Sequence, residues 1–138
     1  MLVYLSLGAN LGNRELTIQS AIDQLGREAG TVTARSLFFY SEPWGFSSEH
    51  AFCNCCIALR TPLSPIELLR YTQYIERTHG RSHKSVGGEY HDRTLDIDLI
   101  LAYDAKGQEI RITSAELTLP HPLWEQREFV KKPLAEIR

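Results

Sequence analysis

Apolar residues fall along this chain in short blocks, and the spacing within each block predicts most of the elements. Leu2 to Leu7 is an apolar run of strand length, closed by the turn-rich Gly8-Ala9-Asn10-Leu11-Gly12-Asn13. The period then changes: Ile18, Ala21, Ile22 and Leu25 fall at i, i+3, i+4 and i+7, the stripe of an amphipathic helix. Asn13 suits its N-cap, and Gly26 or Gly30 its stop. Thr31 to Tyr40, β-branched and aromatic, reads as a second strand, and Phe52 to Leu59 as a third. Ser64-Pro65-Ile66-Glu67 is a capping box with proline at the first helical position; the helix it opens runs to His79 and stops at Gly80. From Thr94 the chain is a strand again. Leu95, Ile97, Leu99 and Leu101 share one face, and Asp96, Asp98, Ile100 and Ala102 share the other. Asp104-Ala105-Lys106-Gly107 is a turn toward Glu109–Ile112, a hairpin partner. The order strand, helix, strand, strand, helix, strand predicts an α/β (α+β) class. The expected architecture is a ferredoxin-like split βαβ sandwich, with helices packed on one face of a mainly antiparallel sheet and the site on the open face.

At 138 residues the chain predicts one domain spanning 1–138. A net charge of −2 supplies no field that would recruit nucleic acid or an anionic membrane. No apolar run approaches the length of a membrane span, and the amino terminus lacks the basic region of a signal peptide. Cys53, Cys55 and Cys56 are odd in number, and adjacent strand residues point to opposite faces, so they form no disulfide framework. They read as small buried hydrophobes of a reducing, hence cytoplasmic, compartment.

The chemistry concentrates in four places. Asp96 and Asp98 lie on one strand face, about 6–7 Å apart along it. Two such carboxylates repel, and a divalent cation between them relieves this; hard oxygen ligands favour magnesium, completed by water and phosphates. The competing reading is an edge strand with two solvated aspartates. Asn54 sits against propensity in mid-strand, and a buried amide pairs well with the edge of a heterocycle. The loop 41–50 is rich in large rings, either a binding surface or a loop folded on itself. The segment after Gly80 carries paired glycines with Arg81, Lys84 and Arg93, and its place directly before the aspartates favours a lid. His79, His83 and His91 make a poor metal cluster because Gly80 breaks the helix that would align them. The glycine turn after the first strand matches neither GxGxxG nor GxxxxGK[ST] and reads as a packing turn.

Taken in order, Gly8-Ala9-Asn10-Leu11-Gly12, Ser41-Glu42-Pro43-Trp44-Gly45 with Phe52-Cys53-Asn54, Gly80-Arg81 and Asp92-Arg93-Thr94-Leu95-Asp96-Ile97-Asp98 make a recognisable series. Leu119-Pro120-His121-Pro122 and Arg127-Glu128-Phe129-Val130 close it. The chain resembles the 6-hydroxymethyl-7,8-dihydropterin pyrophosphokinases, folate-pathway enzymes that move diphosphate from ATP to a pterin alcohol. The resemblance implies two magnesium ions held by Asp96 and Asp98, with ATP as co-substrate. It implies catalytic charge neutralisation by Arg81, Arg93 and His121, with Gln73, Glu76 and Thr118 also on the ATP side. Phe52 and Phe129 would sandwich the pterin, Asn54 with Ser41, Glu42 and Trp44 would read its edge, and Lys84 and Tyr90 would belong to the lid. The expected partners are those two small molecules, with no nucleic acid or membrane, acting on a monomer. Three features depart from the family pattern: Glu116 where a basic residue is usual, Tyr90 where tryptophan is common, and an end at Arg138 sooner than usual. A catalytically degenerate pterin- or nucleotide-binding module is the alternative, and a plain interaction domain a third reading.

Overall fold

In the computed structural model, the described residues are 1–41, 51–79 and 94–138. The expectations for Glu42, Trp44, Arg81, Lys84, Tyr90 and Arg93 lie outside them. The elements are β1 (Leu2–Ala9), α1 (Arg14–Glu28), β2 (Thr31–Arg35), β3 (Phe39–Ser41), β4 (Phe52–Arg60) and α2 (Pro65–Thr78). Then come β5 (Asp96–Tyr103), β6 (Ile112–Thr113), β7 (Thr118–Leu119), a single 3₁₀ turn and α3 (Glu128–Ile137). The main sheet runs β2-β4-β1-β5, with β3 also paired to β4, and every pairing is antiparallel. β1 and β4 occupy the centre, the split βαβ arrangement expected of a ferredoxin-like fold.

The helix signals hold at atomic detail. Asn13 caps α1, its side chain accepting from the Leu16 amide at 3.1 Å. Of the two candidate stops, α1 runs through Gly26 and ends before Gly30, where a Cβ would lie 2.0 Å from the Arg60 carbonyl oxygen. Ser64 and Glu67 exchange both bonds of the capping box. The buried stripes of α1 (Ile18, Ala21, Ile22, Leu25) and α2 (Leu68, Ile75) pack on Val3, Leu5, Leu7, Ile57, Leu59, Ile97 and Leu99. That is one face of the sheet.

Four expectations need correction. Thr31 to Tyr40 is two short strands, because Ser36 turns inward: its Oγ donates to the Leu37 carbonyl and accepts from the Cys56 amide. The alternation of β5 breaks after Leu99. Leu5 pairs with Leu99 but Tyr4 with Leu101, so Ile100 is the extra residue of a β-bulge. Leu101 therefore joins Ile100 on the second face and Ala102 returns to the first. Nor are the helices confined to one face. α3 lays Val130 and Leu134 on Tyr4, Cys56, Ala58, Ile100 and Leu101, covering one end of the side expected to be open. The hairpin after β5 is also partial: Tyr103 bridges Glu109 and the Ile110 amide reaches the Ala102 carbonyl, but Ile112–Thr113 pairs with Thr118–Leu119.

Candidate functional site

The end of the second face beyond α3 is built from four strands. Residues paired across an antiparallel ladder share a face, so the rows can be read directly. One row is Asp96, Gly8, Asn54 and Phe39, on β5, β1, β4 and β3. The next is Asp98, Ser6 and Cys56, and beyond them the face dries out under α3. Asp96 and Asp98 are both half-buried, so the carboxylates do stand where the face passes from dry to wet. With β1 between them, Asp96 and Asn54 are two strand spacings apart, about 9–10 Å between backbones. Gly8 sits in that gap.

Asn54 is buried. Its Nδ2 donates to the Phe39 carbonyl at 3.3 Å and to Ser41 Oγ at 3.0 Å. A backbone carbonyl can only accept, so these contacts place the nitrogen on the β3 side and turn Oδ1 toward β1. A Cβ on Gly8 would come within 2.9 Å of that Oδ1. The row therefore requires glycine, because the amide is already held from its other end. Phe52 is half-buried two residues before Asn54 on the same face, and Ser41 pairs with it across β3–β4. Phe129, also half-buried, packs beside the cluster under α3.

His121 is brought to β5 by its backbone, whose amide donates to the Ile100 carbonyl at 2.9 Å, at the bulge. Its Nδ1 accepts from the Leu123 amide at 3.2 Å, so the neutral ring carries its proton on Nε2. Burial holds the imidazole below its usual pKa; the Arg127 charge acts in the same direction and Asp96 opposes both. His121 thus stands near both a carboxylate and a guanidinium. Arg127 itself is buried, with its guanidinium 5.7 Å from the centre of the Phe129 ring. The sequence reading gave Arg127 no role. The sequence offers no signal for it, because the helix that Arg127 precedes is not itself predicted.

On α2 the two residues expected on the ATP side part company: Gln73 is exposed and Glu76 is buried. Glu76 Oε2 accepts from the Ile97 amide at 2.8 Å, clamping the start of β5 between the aspartates. Thr118 is exposed on β7. Glu116 lies 3.5 Å from Arg70 in an exposed ion pair, which contributes little to stability. Among the described residues no helix is long and apolar enough to cross a membrane.

Residues 4–138 match the family model described as 7,8-dihydro-6-hydroxymethylpterin-pyrophosphokinase. A 2-amino-4-hydroxy-6-hydroxymethyldihydropteridine pyrophosphokinase of Porphyromonas gingivalis is 46% identical over 99% of this chain and 90% of its own length. The protein of the same name from Bacillus subtilis is 36% identical over 99% of this chain and 77% of its own. The folic acid synthesis protein fol1 of Pneumocystis carinii is 37% identical over 98% of this chain but only 17% of its own length, so the likeness there is to one part of a larger protein.

Proposed function

Because the chain belongs to the 7,8-dihydro-6-hydroxymethylpterin-pyrophosphokinase family, we infer that it transfers diphosphate from ATP to the hydroxymethyl group of 6-hydroxymethyl-7,8-dihydropterin in folate synthesis. AMP is the second product. The observation that supports this reading is the row Asp96–Gly8–Asn54, a carboxylate and a buried amide on the two strands that flank β1, with one bare residue between them.

The pterin half belongs to Asn54, Ser41, Phe52 and Phe129, with Glu42 and Trp44. A pterin offers N–H donors along its pyrimidine edge, and Asn54 is oriented to meet them with Oδ1, since Nδ2 is bonded within the fold. The rings of Phe52 and Phe129 would flank the heterocycle and exclude water. The ATP half belongs to Asp96, Asp98, His121, Gln73, Glu76 and Thr118, joined by Arg81 and Arg93. His121 donates from Nε2 to a phosphate oxygen, and the two arginines balance charge on the transferring group. Lys84 and Tyr90 belong to the lid that would exclude water.

The donor set on β5 fits magnesium: two half-buried carboxylates on one face, with hard oxygens only. Asp96 and Asp98 would hold two magnesium ions, which supply charge neutralisation and polarise the phosphoryl oxygens. In the transfer, the pterin hydroxyl oxygen bonds to the β-phosphorus, the bond from that phosphorus to the α,β-bridging oxygen breaks, and the hydroxyl proton is released. The chain acts as a cytoplasmic monomer in this reading; its three buried free thiols suit a reducing compartment.

Incubation with ATP, magnesium and the reduced pterin alcohol tests it. AMP that forms only when all three are present supports the reading. ADP in place of AMP, or no turnover with tight ligand binding, replaces it with an ordinary kinase or the degenerate binding module.

A further inference from the structure

Arg14 stands at the first position of α1, where the partial positive charge of the helix terminus disfavours a cation. Glu15 lies 3.6 Å away and offsets part of this. Two further contacts explain the placement. Arg14 Nη1 donates to the Ala51 carbonyl at 2.7 Å, across 37 residues of chain. The guanidinium also lies over the Tyr40 ring, 5.4 Å from its centre. A planar fork can do both, donating in its plane while its face stacks, which an ammonium cannot.

Tyr40 and Ala51 are the residues immediately before Ser41 and Phe52, the last rung between β3 and β4 among the described residues. Among those residues the ladder has three pairs, Phe39 with Asn54, Tyr40 with Cys53 and Ser41 with Phe52. A pairing so short does not fix its own end. Tyr40 and Cys53 pair across the ladder and face the α1 side. Ser41, Phe52 and Asn54 face the site. Arg14 therefore lies behind the sheet, on the side away from Ser41, Phe52 and Asn54.

We propose that Arg14 is a positioning residue for the pterin half of the site. By gripping Tyr40 and Ala51 together it fixes the Ser41–Phe52 rung, and with it the hydroxyl that orients the Asn54 amide. This deepens the functional reading above and rests on it.

The test uses the full chain with Arg14→Ala and Arg14→Lys. Pterin titrations are run by calorimetry with magnesium and a non-hydrolysable ATP analogue present, the analogue is titrated alone, and amide exchange is followed across 52–54. Arg14→Ala should weaken pterin binding about tenfold, the loss expected for one charge-assisted hydrogen bond. Nucleotide affinity should stay unchanged, while exchange across 52–54 quickens and that of β1 does not. Arg14→Lys should recover only part of the loss, and it carries the same comparison if the alanine variant does not fold. Unchanged pterin affinity, or equal losses for both ligands, overturns the proposal. A wild-type chain that binds nucleotide but no pterin overturns the functional reading instead, a result distinguishable because it needs no variant.

Discussion

The two ends of the sheet's second face use the same three strands and fare differently. At one end Tyr4, Cys56, Ala58, Ile100 and Leu101 lie under Val130 and Leu134 of α3. At the other, on the same strands, stand Gly8, Asn54, Asp96 and Asp98. The switch occurs within β5 between Asp98 and Ile100, and the bulge at Ile100 sits at the boundary. Its extra residue puts two aliphatic side chains in succession under α3, and its carbonyl receives the His121 amide. One irregularity thus widens the dry end and anchors a residue of the wet one. The dry end stabilises the molecule, whereas the wet end holds polar groups at some cost to stability, which the proposed ligand roles would explain.

The comparison breaks if either end behaves like the other. Asp98→Ala should reduce AMP formation on the order of 10²–10³-fold, the scale for losing one electrostatic element of a transition state. Its melting temperature should hold or rise, since one of two repelling carboxylates is gone. Leu134→Ala should do the opposite: about 2–5 kcal/mol of stability lost in urea denaturation, with turnover retained at temperatures where the variant is folded. Turnover lost along with stability would place Leu134 in the site rather than behind it.

Smaller effects sharpen the boundary. Asn54→Ala should weaken pterin binding by about 1–3 kcal/mol and leave ATP binding intact, as expected when a buried polar partner is removed. Equal losses for both ligands by calorimetry would contradict that assignment. Glu76→Ala should destabilise by about 1–3 kcal/mol by stranding the Ile97 amide, while Glu76→Gln, which keeps an acceptor, should restore most of it. A nucleotide defect that survives in the glutamine variant would separate a role toward ATP from the clamp on β5. Smallest is a control far from both ends. Ser64→Ala should cost about 1 kcal/mol without changing turnover. The bonds from Ser64 also hold the Glu67 carboxyl below its usual pKa. With a folded value below the unfolded one, the unfolded chain binds more protons in between, so this support is present above the ordinary glutamate value near pH 4.5 and fades as pH falls through the folded one. Denaturation midpoints at pH 7 and pH 3 should show the gap between wild type and Ser64→Ala narrowing on acidification.

Much of this was legible before any coordinates. The α1 stripe, the capping box and the facing of Asp96, Asp98 and Asn54 follow from period and turn chemistry, because each is written in residues only a few positions apart. What escaped depends on distant partners. Nothing in the apolar run from Ile97 to Leu101 marks which residue will be extra, since that is decided against Tyr4 and Leu5 on another strand. Ser36 breaks a strand because Cys56 needs an acceptor twenty residues away. No period in the tail from Leu123 predicts an element, and its helix contains Pro133, ordinarily a reason against one. Arg127 looked like part of a motif until burial beside Phe129 and His121 set it apart.

β4 carries its three thiols at three depths, and this gives the molecule a set of clocks. Cys53 lies near the wet end beside Tyr40, Cys55 is bonded to Ser36 in mid-sheet, and Cys56 reaches the Val130 carbonyl under α3. All three are fully buried, and burial pushes the Cys53 thiol up to about 11 and that of Cys56 to about 12. An alkylating reagent reacts with the thiolate, so each sulfur is silent until its own surroundings open. The rates at which the three are modified under native conditions, separated by mass after proteolysis, therefore time the fraying of the rung, the parting of the sheet and the lifting of α3.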